Sequence, residues 1–217
     1  MKKYELTSDT KIVFGHILYR IKALSSFGCV SAGDLGGFLE SEKNLSQNGD
    51  AWVYGDARVY GDAWVYGDAR VYGDAWVYGD AEVYGDARVY GDARVYGNAE
   101  VYGNAEVYGD ARVYGNAEVY GNAVVYGNAR VYGNAEVSKI GSIFWIGAVG
   151  SRNDTATFFR CTDGVVRVTC GCFFGNLDEF AKKVRKTHGD NDHAKVYMLA
   201  IDMAKIRIST EKEKTEE

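Results

Sequence analysis

The sequence predicts an all-β array of stacked short strands, preceded by a β cap and followed by a small α+β unit. Three observations carry this. Valine recurs at every sixth residue from Val53 to Val137 without a slip, with an alanine two residues before each one. Each valine up to Val131 is followed by Tyr-Gly-Asp or Tyr-Gly-Asn, and one position in the unit varies while the other five hardly change. Residues two apart on a strand share a face, so Ala and Val point one way, and the variable residue and the tyrosine point the other. Gly accepts a positive φ, and Asp and Asn tolerate turns and bond their own backbone, so Gly-Asp and Gly-Asn turn each corner. A strand this short cannot bury its apolar face alone; successive units must stack. A helical solenoid is excluded by glycine at every sixth position and by the β-branched and aromatic strands.

The fixed positions have separate physical reasons. Valine fills a narrow core, at roughly 1.5–3 kcal/mol per buried side chain. Alanine is small because the corner leaves little room. The sixth position faces solvent and is free to vary. Tyrosine also faces outward yet never changes from Tyr54 to Tyr132. Stacking at strand spacing, about 4.8 Å, accounts for that constancy, and a binding surface is the other reading. The register runs on past the exact repeat: Ile143 and Val149 fall on valine positions and Gly141 and Gly147 on alanine positions.

A six-residue period with an aliphatic residue and a small one two before it resembles the hexapeptide repeat of left-handed parallel β-helices. That resemblance covers residues 51–149 and implies a triangular coil of about 18 residues, three units per turn. Sorted by an 18-residue coil, the variable positions fall on three flanks. The first reads Trp52, Arg70, Arg88, Glu106, Val124; the second Arg58, Trp76, Arg94, Arg112, Arg130; the third Trp64, Glu82, Glu100, Glu118, Glu136. Like charges one strand apart repel, at somewhat under ~1 kcal/mol per pair in water. A monomer gains nothing from this segregation. A homo-oligomer does, because the basic flank of one copy can meet the acidic flank of the next in a heterologous contact that closes; a trimer is expected. The candidate interface residues are Trp52, Trp64, Trp76, Arg58, Arg94, Arg112, Arg130, Glu82, Glu100, Glu118 and Glu136, aromatics and arginine being enriched at interfaces.

Residues 1–50 read as the cap of the exposed strand edge, with a hairpin around Phe14-Gly15-His16. Ala32, Gly33, Gly36 and Gly37, then Leu45-Ser46-Gln47 followed by Gly49-Asp50, resemble the entry segment of YdcK-like bacterial β-helix proteins, a group to which transferase activity is attributed. Caps of this kind with near-perfect repeats also occur in phage and prophage proteins of unknown role. The array is assigned residues 51–150, a ββαα unit residues 151–210, and a flexible tail residues 211–217. In the ββαα unit, a hairpin with a two-residue Asp163-Gly164 turn puts Phe159, Cys161, Val166, Val168, Cys170 and Cys172 on one apolar face. Asn176 caps a first helix that ends before Gly189. A second helix carries Val196, Leu199, Ala200, Met203 and Ile206 at helical spacing.

The totals narrow the function. With a net charge of −5, the chain is not a nucleic-acid binder driven by bulk charge. No apolar run reaches membrane-span length, and the N-terminus lacks a signal-peptide core, so a cytoplasmic address is expected. Cys170-x-Cys172 lacks the C-x2-C spacing of a zinc knuckle, and neither a metal nor a cofactor is expected. Hexapeptide-repeat proteins include acyltransferases that use a histidine as general base. Here His16, His188 and His193 all lie outside the repeat and no loop interrupts 51–149. The reading is a non-enzymatic scaffold or binding protein that presents its end domains to a protein partner or small ligand; a hexapeptide-repeat acyltransferase is the alternative.

Overall fold

The computed structural model describes residues 2–208; the tail 211–217 lies outside the described residues. The chain opens with β1 (Tyr4–Val13) and β2 (His16–Ala23), an antiparallel hairpin whose turn is Phe14-Gly15. β3 (Leu35–Leu39) lies antiparallel to β2 on one side and parallel to the strand Arg58–Gly61 on the other, so it turns the hairpin sheet into the array. Two glycines allow that entry. A Cβ at Gly36 would meet the Val53 carbonyl oxygen at 2.6 Å, and one at Gly37 the Ala57 carbonyl oxygen at 2.6 Å. The open end of the core is closed by Trp52, held edge-on by Tyr4 at 6.0 Å and Phe27 at 5.4 Å between ring centroids. Beside it the Lys3 ammonium donates to the carbonyls of Gly49 and Ala51, and burial lowers its pKa to about 8.

Fifteen short strands follow, β4 (Trp52–Val53) to β18 (Glu136–Val137). Each pairs in parallel with the strand 18 residues away, as Arg94 with Arg112 and Glu100 with Glu118. The outcome is a β-solenoid of about six turns with about 18 residues per coil and three parallel sheets. Every repeat alanine and valine from Ala51 to Val137 is fully buried. The turn glycines have φ between 61° and 75° from Gly55 to Gly133, a region costly for any residue with a Cβ.

Beyond Val137 the structure departs from the extended register. A single 3-10 turn, Ile140–Ser142, breaks the coil. β19 (Ile143–Val149) then pairs antiparallel with β20 (Asp154–Arg160), not in parallel with the coil before it. Ile143 is still buried at the end of the solenoid core, but its strand partner is Phe159 and not the coil before it. β21 (Val166–Cys170) and β22 (Phe173–Asn176) complete a four-stranded antiparallel sheet where the sequence suggested one hairpin. Helices α1 (Leu177–His188) and α2 (Asp192–Arg207) cover it. Asn176 caps α1 in a reciprocal capping box with Glu179, and Gly189 ends it.

Two further expectations are corrected. The loop between β20 and β21 spans residues 161–165, and Arg160 pairs with Val166. A slip of one residue exchanges the faces of a strand. Ala156 and Phe158 therefore join Val166, Val168 and Cys170 beneath the helices, while Phe159 and Cys161 face the solenoid end. The cysteines do not share a face: Cys161 is buried against the solenoid, Cys170 lies under the helices, and Cys172 is exposed. In α2, Ala194, Tyr197, Ala200, Ile201 and Ala204 are buried, whereas Val196, Leu199, Met203 and Ile206 are exposed. The small residues let the helix approach the sheet closely. The larger apolar stripe that the spacing singled out faces away from it, Ala200 excepted.

Candidate functional site

Two places collect side chains able to do chemistry or bind: the solenoid flanks and a cavity in the C-terminal unit. On the flanks, the 18-residue sorting is the one the fold makes. Arg58, Trp76, Arg94, Arg112 and Arg130 are consecutive rungs of one sheet, and Trp64, Glu82, Glu100, Glu118 and Glu136 of another. Beside each flank runs a tyrosine ladder, with stacked rings 4.7–5.2 Å apart over most of its length. On the acidic flank each tyrosine hydroxyl donates to the glutamate sixteen residues on. Tyr66 bonds Glu82 at 2.8 Å, Tyr84 bonds Glu100 at 2.9 Å, Tyr102 bonds Glu118 at 3.3 Å and Tyr120 bonds Glu136 at 2.8 Å. These hydrogen bonds hold the glutamates in place along the flank. Glu136 has the buried Arg160 guanidinium 3.9 Å away.

The basic flank is built differently. Arg58 and Arg94 lie over opposite neighbours' aromatic rung Trp76, at 4.9 and 5.1 Å from its ring. Among the described residues, Arg94, Arg112 and Arg130 have no carboxylate within ion-pair distance. The N-terminal hairpin folds over the first rungs, where Leu18, Phe38 and Tyr60 are buried together against Trp76. Its tip carries Phe14, 5.7 Å from Trp76 yet 82% exposed, with Ile12 exposed nearby in sequence. Of the three tryptophans placed at an interface, Trp64 is exposed and stacked on Tyr66, Trp76 is half-buried by the hairpin, and Trp52 is a core residue of the cap. Trp52 is thereby corrected: the hairpin base and the 24–34 segment cover it.

The cavity, of about 330 Å³, opens between the 151–154 segment, the β21–β22 turn and the helices. Phe173, Phe180, Val184 and Tyr197 form apolar walls; Arg152, Lys183 and His188 stand around it with one carboxylate, Asp154. The Cys170 thiol lies 3.6 Å from the Tyr197 hydroxyl, which is 3.4 Å from the Val149 carbonyl. Burial pushes both the thiol and the phenol up from their ordinary pKa values, so both stay neutral at pH 7. His188 and His193 sit 5.6 Å apart, centroid to centroid, at the junction of the helices. The third histidine is remote: His16 Nδ1 is 2.8 Å from Glu40 Oε1 at the other end of the molecule. Sequence reasoning missed Phe14 and the cavity residues. Phe14 left one signal, a bulky residue before Gly15 where a tight hairpin favours Asn or Asp. The cavity left none, since its walls come from four separated segments.

With this geometry in hand, the repeat matches the family model described as the YdcK beta solenoid repeat, in overlapping segments 51–67, 63–79, 81–97, 87–103, 111–127, 117–133 and 125–138. Over these segments the central array is similar to the YdcK β-solenoid repeat. The match lies in the coils themselves and not in the entry segment 32–50 that resembled this group by sequence. Both end units of the YdcK-type solenoid lie outside it. No curated protein matches the chain. No helix among the described residues is long and apolar enough to cross a membrane, and no cluster of three or more His, Cys, Asp or Glu among them could hold a metal ion.

Proposed function

We propose that this protein is a non-catalytic solenoid scaffold that self-associates through its basic and acidic flanks and holds out its C-terminal units for binding. The observation that carries the reading is Phe14. It occupies the first position of a two-residue turn with φ 49°, a conformation costly for a bulky side chain, and it is exposed. Neither local preference nor burial within the chain accounts for a phenylalanine there; burial against a second copy does. The basic flank continues from it with Arg94, Arg112 and Arg130, which among the described residues have no carboxylate within ion-pair distance.

The acidic flank offers the complement at matching heights. Trp64 and Glu82 lie one coil apart on either side of Trp76 in the chain, and Glu100 and Glu118 follow Arg94 and Arg112 by six residues. Parallel copies would set aromatic against aromatic at the N-terminal end and arginine against glutamate along the rungs. Because the two surfaces differ, the contact is heterologous and closes into a ring, with three copies expected. Light scattering on the purified chain tests this: a trimer is expected, and Phe14→Asp or the triple change of Arg94, Arg112 and Arg130 to Glu should give monomers. A monomeric wild type, or variants with unchanged mass, would remove the proposal.

A second reading, acyl transfer, is favoured by one geometry. The Glu40 carboxylate orients His16 and accepts the Gly61 N–H at 2.7 Å, the arrangement of a base and its positioning group. Acetyl-coenzyme A incubated with candidate amines should then release thiol, and His16→Ala should abolish the release.

A further inference from the structure

The cavity of the C-terminal unit combines features that the scaffold reading does not use. The chain as a whole is acidic, yet residues 139–208 contain eleven lysines and arginines against seven aspartates and glutamates. Arg152 and Lys183 reach the cavity from opposite walls, the first from the segment before β20 and the second from α1. The one carboxylate there, Asp154, already accepts the N–H of Thr155 at 2.8 Å. Deeper in, the walls are rings and an aliphatic side chain, with Phe173 and Phe180 5.0 Å apart and Tyr197 edge-on to Phe180 at 5.4 Å. Cations at the rim and flat apolar walls behind are complementary to a molecule with a carboxylate at one end and a compact apolar body at the other. A volume of about 330 Å³ is at the small end of ligand sites and suits a small guest.

We propose that this cavity binds a small organic carboxylate of about ten heavy atoms, with its apolar body packed against the wall formed by Phe173, Phe180 and Tyr197 and its anionic end toward Arg152 and Lys183. The site is complete within one chain, so it stands or falls apart from self-association. Phenylacetate is a suitable probe, with phenylacetamide as its neutral isostere and inorganic phosphate as an anion without an apolar body. For a probe of about ten heavy atoms, the expected Kd is on the order of 1 mM.

Titration of the full chain with phenylacetate, followed by NMR, should shift the Tyr197 and Phe180 ring resonances saturably in that range and raise Tm. Phenylacetamide and phosphate should each bind at least about tenfold more weakly. Arg152→Gln with Lys183→Gln should weaken phenylacetate about tenfold or more without lowering the ligand-free Tm, and Val184→Trp, which fills the space, should abolish binding. The proposal is overturned by an absence of saturable shifts at 10-fold above the expected Kd, by equal affinity for phenylacetamide, or by a double variant that binds as well as the wild type. Light scattering on the same samples reports the oligomer independently.

Discussion

Tyr102 shows how one residue type serves two neighbours at once. Its ring stacks on Tyr84 at 4.8 Å and Tyr120 at 5.0 Å, and its hydroxyl donates to Glu118. Tyr102→Phe keeps the stack and loses only the hydrogen bond, so it should cost about 1 kcal/mol in chemical denaturation; a loss several times larger would mean that the hydroxyl does more than anchor one carboxylate. The ladders also set a pH limit. Burial first, and then the neighbouring glutamate, raises the phenol pKa at Tyr66, Tyr84 and Tyr90, and at Tyr120 to about 12. A folded-state pKa above the unfolded value near 10 contributes stability that is complete below pH 10 and lost as pH rises through the folded pKa. Phenolate absorbance should therefore rise late, near pH 12, together with loss of the β circular dichroism signal. Titration of Tyr66, Tyr84, Tyr90 and Tyr120 near pH 10 with the fold intact would contradict these contacts.

At the scale of the element, α2 separates pattern from packing. Both Val196-Leu199-Met203-Ile206 and Ala200-Ile201-Ala204 recur at helical spacing, so periodicity alone cannot choose between them. The sheet chooses the side with alanines because it permits close approach. Ile201→Ala should destabilise by about 2–4 kcal/mol, whereas Leu199→Glu should change stability by less than about 0.5 kcal/mol; the reverse order would put the helix the other way round. The β20–β21 loop makes a parallel point. Arg167 forms two hydrogen bonds to Asp163, at 2.8 and 2.6 Å, and holds its carboxyl down to about 2. A lowered carboxyl pKa contributes stability present above the unfolded value near 4 and lost as pH falls toward 2. Asp163→Asn should flatten that stretch of the acid denaturation curve relative to wild type.

For the whole molecule, the uniform coils and the two unlike ends divide the labour. Each coil contacts mainly its neighbours, so the stability of the array is a sum of rungs and interfaces, with the terminal units closing its exposed edges. The segregated flanks carry the proposed self-association. Restoring complementarity supplies a stringent check: adding Glu82→Arg, Glu100→Arg and Glu118→Arg to the triple arginine-to-glutamate variant should recover the wild-type mass in light scattering. A variant that stays monomeric would show that charge complementarity between these flanks does not set the contact.

The repeat, its inward and outward faces, the 18-residue sorting of its flanks and the caps of α1 were determined by the sequence alone. Each depends on local geometry repeated many times: alternation along a strand, a positive φ at glycine, or a side chain bonding a helix end. The fate of Ile143, the face of Phe159 and Cys161, the outward stripe of α2, the burial of Trp52 and the existence of the cavity were decided only by tertiary structure. These hinge on where a chain ends one kind of pairing and begins another, and a loop longer by a few residues exchanges every face that follows. Short-range pattern carries no record of which distant segment will supply the opposing wall.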